Sequence, residues 1–201
     1  MKKLILNYLV FVLPVFFLIA CSGSEESSSS DSDKEVQEED PCEEMEVEDF
    51  RGFLGIYQNT HEAHFKDIFP GEATGSYNDD KSAFTYVFDD VEDVSTYITV
   101  NAESGDVEYY NILLNSYTEK DLTATQKRMR KNYDIDECHD QFFMMSQKEI
   151  EKIMGTDNTV DEIETGDYWL QYWDDDTGME VHFYFPTIND LGCIMIRVIY
   201  S

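Results

Sequence analysis

The sequence predicts an α+β fold, built as two tandem helix-plus-antiparallel-sheet repeats behind an apolar leader and a disordered acidic tether. Three observations carry this. Residues 1–20 are apolar after a basic start, residues 22–49 hold 13 acids against one lysine, and the remainder repeats its hydrophobic pattern at a shift of 85 residues. The expected divisions are 1–20, leader; 21–49, Cys21 and tether; 50–116, first repeat; 117–135, basic linker; and 136–201, second repeat.

The leader opens Met1-Lys2-Lys3 and runs apolar to Ala20, broken by Asn7 and Pro14. A basic start, an apolar core and a small residue form the layout of a secretory signal peptide. A membrane-spanning helix needs about 20 uninterrupted apolar residues, and this run is shorter and carries a proline. Its last four residues, Leu18-Ile19-Ala20-Cys21, resemble the lipobox of bacterial lipoproteins. That resemblance implies cleavage before Cys21, acylation of its thiol and new amino terminus, and a lipid-anchored place in the cell envelope. Ser22, in place of Asp, implies the outer membrane if the envelope is Gram-negative, on its periplasmic or surface side. Glu25 and Glu26 loosely resemble surface-export tags of some lipoproteins.

Several acyl chains anchor stably because each buried CH₂ contributes about 0.8 kcal/mol. Beyond them, residues 22–49 add seven serines to their acids and almost nothing apolar. Such a segment cannot bury enough surface to offset its ordering entropy, so it is expected to stay extended and solvated.

The chain carries a net charge of −29. Cleavage after Ala20 removes two lysines and gives −31, of which −19 falls on residues 50–201. The folded part is therefore acidic in its own right. Nucleic acid is excluded as a partner, because binding it requires a basic footprint. A basic protein, by contrast, would be steered toward the domain.

After Cys21 three cysteines remain, and an exported compartment permits disulfides. Cys42 in "DPCEE" and Cys138 in "DECHD" share polar surroundings and are the expected pair. Cys193 lies in an apolar strand, where a free thiol packs as a small hydrophobe.

The repeat sets "HEAHFKDIFP" (61–70) over "SQKEIEKIMG" (146–155), with Phe65, Ile68 and Phe69 matching Ile150, Ile153 and Met154 at helical spacing. "FTYVFDD" (84–90) lies over "WLQYWDD" (169–175), and "TYITVN" (96–101) over "VHFYFP" (181–186). The last strands, "VEYYNILL" (107–114) and "CIMIRVIY" (193–200), disagree by one residue in their inward faces, so a register slip is expected. Each half reads as a helix and three antiparallel strands, with "FLGIY" (53–57) and "QFFMM" (141–145) adding a helix turn or an edge strand. This layout resembles the tandem helix-on-sheet units of β-lactamase-inhibitor proteins. "MSQKEIEKIMG" (145–155) also resembles the opening helix and glycine stop of the small lipoproteins of the barrel-assembly machinery. Between the halves, "YTEKDLTATQKRMRKNYD" (117–134), where Asp121 or Thr123 could cap a short helix, concentrates Lys120, Lys127, Arg128, Arg130 and Lys131, and could meet a lipid headgroup or an acidic partner, or pair with its own acidic neighbours.

No catalytic constellation is legible, and no enzyme activity, cofactor or metal is expected. His61 and His64 lack the zinc-protease spacing and a third ligand. His139 and His182 accompany no nucleophile motif. "DDDTGME" (174–180) crowds Asp174–Asp176 before a glycine, but the glycine falls one place early for a calcium loop, and hairpin turns favour the same residues. The aromatics say more. If Trp169 and Trp173 point inward with Phe183 and Phe185, then Tyr168, Tyr172, His182 and Tyr184 face solvent, joined by Tyr97 of the first half. With the faces reversed, the tryptophans are the exposed anchors. Either way an exposed aromatic sheet face has the composition of a protein-binding surface. The expected function is binding of another protein, inhibitor- or immunity-like, with a basic exported enzyme as the fitting target. The alternative is a structural assembly factor of an envelope complex.

Overall fold

Eight strands build the molecule: β1 (Thr74–Tyr77), β2 (Ala83–Val91), β3 (Val94–Asn101), β4 (Val107–Leu114), β5 (Thr159–Glu162), β6 (Tyr168–Asp174), β7 (Met179–Phe185) and β8 (Met195–Tyr200). In the computed structural model they form one antiparallel sheet, ordered β1-β2-β3-β4-β8-β7-β6-β5. The structure describes residues 42–201 apart from 43, 70, 116–118 and 188–190, so the leader, Cys21 and most of the tether lie outside the described residues. The helices are α1 (Phe65–Ile68), α2 (Glu119–Tyr133), α3 (Glu137–Asp140) and α4 (Gln147–Met154), preceded by 3₁₀ turns at Val47–Phe50, Phe53–Gly55 and Glu62–His64.

The α+β class is as expected; the strand count is not. Each half contributes four strands, and both halves share one sheet. The added strands, β1 (TGSY) and β5 (TVDE), are short, fully exposed edges with no alternating apolar pattern to reveal them. The two halves join because β4 pairs with β8 in the middle of the sheet, from Tyr109↔Ile199 to Leu113↔Met195. "FLGIY" and "QFFMM" add 3₁₀ and turn structure, not edge strands.

One face of the sheet carries the core. Alternation on the central strands sends Ile98, Tyr110, Ile112, Leu170, Val181, Phe183, Ile196 and Val198 to that side, all fully or nearly fully buried. Residues 47–57 cross this face. Phe50 meets Phe183 at 6.0 Å and Phe142 at 5.5 Å between ring centres. Two tyrosine hydroxyls tie the segment to the joined strands: Tyr110 donates to the carbonyl of Phe53 (2.9 Å) and Tyr200 to that of Ile56 (2.6 Å). The Phe53 carbonyl also accepts from the Ile56 amide (3.3 Å), and burial pushes the Tyr110 hydroxyl's pKa well up.

α4 opens on a capping box, Ser146 with Glu149, buries Ile150 and stops at Gly155, whose φ of 84° a side chain would resist. α1 is a single turn that buries Phe65, while Phe69, just beyond it, stacks on Phe88 at 4.5 Å. The basic linker, where a short helix is expected, forms the 15-residue helix α2, which places Met129 and Tyr133 in the core. Its two arginines pair within the chain: Arg128 reaches Asp93 (3.2 Å) and Glu92 (3.6 Å), and Arg130 reaches Glu137 (2.7 Å) and fully buried Asp140. Two bonds from Arg130 hold the Asp140 carboxylate, although burial pushes its pKa up.

The Cys42–Cys138 disulfide forms as expected, closing a separation of 96 residues. Cys193 is buried and free; burial pushes its pKa up to about 12, which leaves it inert at neutral pH. Replacing Cys42 and Cys138 by serine should lower unfolding stability by about 4.7 kcal/mol, the loop-closure value for a loop of this size. Urea titration of the wild-type and double-serine proteins reads the difference as a lower midpoint, with a steeper slope because the unfolded chain without the cross-link exposes more surface.

Candidate protein-binding face

The second face of the sheet is aromatic, and among the described residues no helix packs on it. It presents Val87 from β2, Tyr97 from β3, Tyr109 and Leu113 from β4, Met195 and Ile199 from β8, Tyr184 from β7, and Trp169 and Trp173 from β6. The register sets them on one side, through Tyr97↔Val87, Tyr109↔Ile199, Leu113↔Met195, Met195↔Tyr184, Tyr184↔Trp169 and Glu180↔Trp173. None of them belongs to the packed core. Most are half-buried by their neighbours; Trp173, at 45 % exposure, is among the most exposed large apolar side chains described.

Of the expected face residues, Tyr97, His182 and Tyr184 lie here. Tyr168 and Tyr172 do not. They point to the core side, opposite Phe185 and Val181, and Tyr172 is only 3 % exposed. Tyr168 stacks on Phe185 at 4.8 Å, and the Tyr172 hydroxyl donates to the carbonyl of Gly155 (2.9 Å), fixing the end of α4. Burial pushes the Tyr172 pKa up to about 12. Only β6 is reversed: its tryptophans turn outward and its tyrosines inward, while His182 and Tyr184 of β7 stay on the open face. Gln171 is the signal for it, because it shares a face with Trp169 and Trp173, whereas Leu170 sits between the two tyrosines. A glutamine turned into the core would leave an amide to satisfy, so its face goes to water.

Arg197 sits at the middle of the face. It pairs across the sheet with Asn111, and its Nε donates to Asn111 Oδ1 at 2.6 Å. The guanidinium lies 4.4 Å from the Trp169 ring and 5.3 Å from the Tyr109 ring. Such contacts contribute about 0.5–2 kcal/mol each. Sequence reading passed over Arg197 and Tyr109; the tyrosine's face follows from the inward assignment of Tyr110, but the arginine's setting depends on pairing between distant strands. Beside Arg197, His182 is 7 % exposed and donates from Nε2 to Glu180 (2.7 Å). Burial lowers its pKa despite Glu180, with the Arg197 charge acting in the same direction as burial.

Carboxylates border the face. Glu180 and Asp161 lie along β7 and β5, and Asp167 is held well below the usual carboxylate range by the hydroxyl of Tyr184 and by Thr187. At the β6–β7 hairpin, Trp173 lines an open cleft with Met45, Met154 and the carboxylates of Glu46, Glu48 and Asp157. Asp174–Asp176 lie on the same rim, but they form a turn. The Asp174 carboxylate accepts from the Asp176 amide and the Thr177 hydroxyl. Among the described residues no group of three or more His, Cys, Asp or Glu side chains converges as metal ligands would. His61 and His64 are exposed. His139 is structural: it stacks on Phe53 at 4.8 Å and bonds Asp136 and the carbonyl of Asp49.

No family model matches the chain, and no curated protein does. Among solved structures it is weakly similar to a cysteine-rich secretory protein from Staphylococcus aureus subsp. aureus Mu50, with a TM-score of 0.34 and 9 % identity over 69 % of this chain and 42 % of that one.

The folded-state pKa of His182 lies below its ordinary value of 6.5. The unfolded chain therefore binds the proton first, and the stability contribution of neutral His182 is present above about pH 6.5 and lost as the pH falls through the folded pKa. Urea midpoints measured between about pH 7.5 and 5 should fall less steeply for His182→Gln than for the wild type.

Proposed function

We propose that this is a non-enzymatic, lipid-anchored protein of the cell envelope that binds another protein through the open sheet face. One observation carries the reading: Tyr97, Tyr109, Trp169, Trp173 and Tyr184 share a rigid face that no described helix covers. Tyrosine and tryptophan offer large contact area at small conformational cost and dominate the energetics of protein interfaces. The carboxylate border and the charge of −29 favour a basic partner, with inhibition or immunity against an exported enzyme as the fitting role. Anchoring rests on the lipobox-like Leu18-Ile19-Ala20-Cys21, and an outer-membrane place on Ser22.

We further infer that the two halves are one duplicated unit. β1 and β5 begin and end 85 residues apart, β2 and β6 begin 85 apart, and so do β3 and β7. The inward residues of the last strands, Tyr110, Ile112 and Leu114 against Ile196, Val198 and Tyr200, stand 86 apart, one residue out of step. The slip coincides with a bulge at Glu108, where β3–β4 pairing passes from Thr99↔Tyr109 to Val100↔Val107. Within such a unit the likeness to tandem inhibitor repeats concerns layout alone.

The test is retention of a partner from envelope and culture-medium extracts on immobilised full-length protein, alongside Trp169→Ala/Trp173→Ala. A stoichiometric basic protein held by the wild type, released by salt and at least about tenfold less retained by the double variant supports the reading. Equal retention by both proteins, or none by either, contradicts it.

A further inference from the structure

Arg197 is built into the fold differently from Arg128 and Arg130. Arg128 and Arg130 each meet carboxylates of the chain. Arg197 makes no ion pair among the described residues; its one hydrogen bond there, from Nε to Asn111, leaves Nη1 and Nη2 without acceptors. This happens in a protein with 43 acids, where a carboxylate neighbour is easily supplied. The group is also costly where it sits: burial alone would lower its pKa, against a minor opposing effect from Tyr109. The Trp169 and Tyr109 rings and the Asn111 bond hold the guanidinium in one orientation. Its fork is thus held in place, with no acceptor supplied from within the described fold.

We infer that Arg197 is the central anchor of the binding face and takes a carboxylate presented by the partner protein. The inference rests on the protein-binding reading above and gives the contact a charge pattern: an acidic side chain at the centre, set among basic residues that meet the surrounding carboxylates of Glu180, Asp161 and Asp167. A guanidinium and a carboxylate match as two parallel hydrogen bonds, and the flanking rings exclude water from them. A lysine there would keep the charge but lose the fork.

The probe is the peptide acetyl-Lys-Glu-Lys-amide, with acetyl-Lys-Gln-Lys-amide as control, added to the full-length protein and followed by tryptophan fluorescence and by the Arg197 Nε–H NMR signal. The glutamate peptide should give a saturable response at millimolar concentration. The glutamine peptide should bind at least about tenfold more weakly, and so should the glutamate peptide to Arg197→Met, with Arg197→Lys between the two. No saturable response from the wild type, equal responses to both peptides, or unchanged binding by Arg197→Met overturns the inference. The two-peptide comparison needs only the wild type, so it decides even if Arg197→Met folds poorly. If a partner is retained through Trp169 and Trp173 while the peptides fail, the protein-binding reading survives and the carboxylate anchor falls. If the peptides succeed while retention ignores the tryptophans, the reverse holds.

Discussion

The structure depends on the pairing of β4 with β8. Those two strands end the two halves of the chain, and five residue pairs between them turn two four-stranded meanders into one sheet. Everything decisive lies on either side of that seam. On the core side Tyr110 and Tyr200 rise from it to hold residues 47–57 across the sheet through main-chain carbonyls. On the open side Asn111 and Arg197, the neighbouring pair, hold the centre of the aromatic face. Alternation along a strand makes these two arrangements inseparable, since a slip of one residue would exchange them.

Burial is one-sided as a consequence. The 3₁₀ segment and the helices bring their apolar residues to a single face, where Phe50, Phe142 and Phe183 pack ring against ring. Nothing in the described fold brings a second layer to the other face. A half-open antiparallel sheet ordinarily turns polar side chains to water; this one turns tryptophan, tyrosine, methionine and isoleucine outward, around an arginine that pairs with no carboxylate among the described residues. That departure is why the face, and not any cleft or polar cluster, carries the functional argument.

Much of this was legible in the sequence, for reasons that can be named. The fold class, the principal strands, α4 with its glycine stop, and the Cys42–Cys138 pair follow from periodicity, capping chemistry and polar context, all local. β1 and β5 were hidden because TGSY and TVDE carry no apolar alternation; as exposed edges they need none. At 117–134 the sequence suggests only a basic linker with a short helix, because the charges of α2 obscure its buried Met129 and Tyr133. The face was found but partly inverted: the tyrosine–leucine–tyrosine and tryptophan–glutamine–tryptophan sides of β6 are both aromatic, and only Gln171 distinguishes them. Arg197 was invisible because its meaning lies in Asn111 and Tyr109, on a strand 86 residues earlier that only the seam brings alongside.

The most direct test of this account is hydroxyl-radical footprinting of the full-length protein, read residue by residue by mass spectrometry. If the sheet is single and open on one side, Trp173, Trp169 and Tyr97 oxidise readily while Tyr172, Phe183 and Tyr110 are protected. Fast oxidation of Tyr172 with protection of the two tryptophans would mean that the faces are reversed or that the outer one is covered, and the proposed binding face would fall with it.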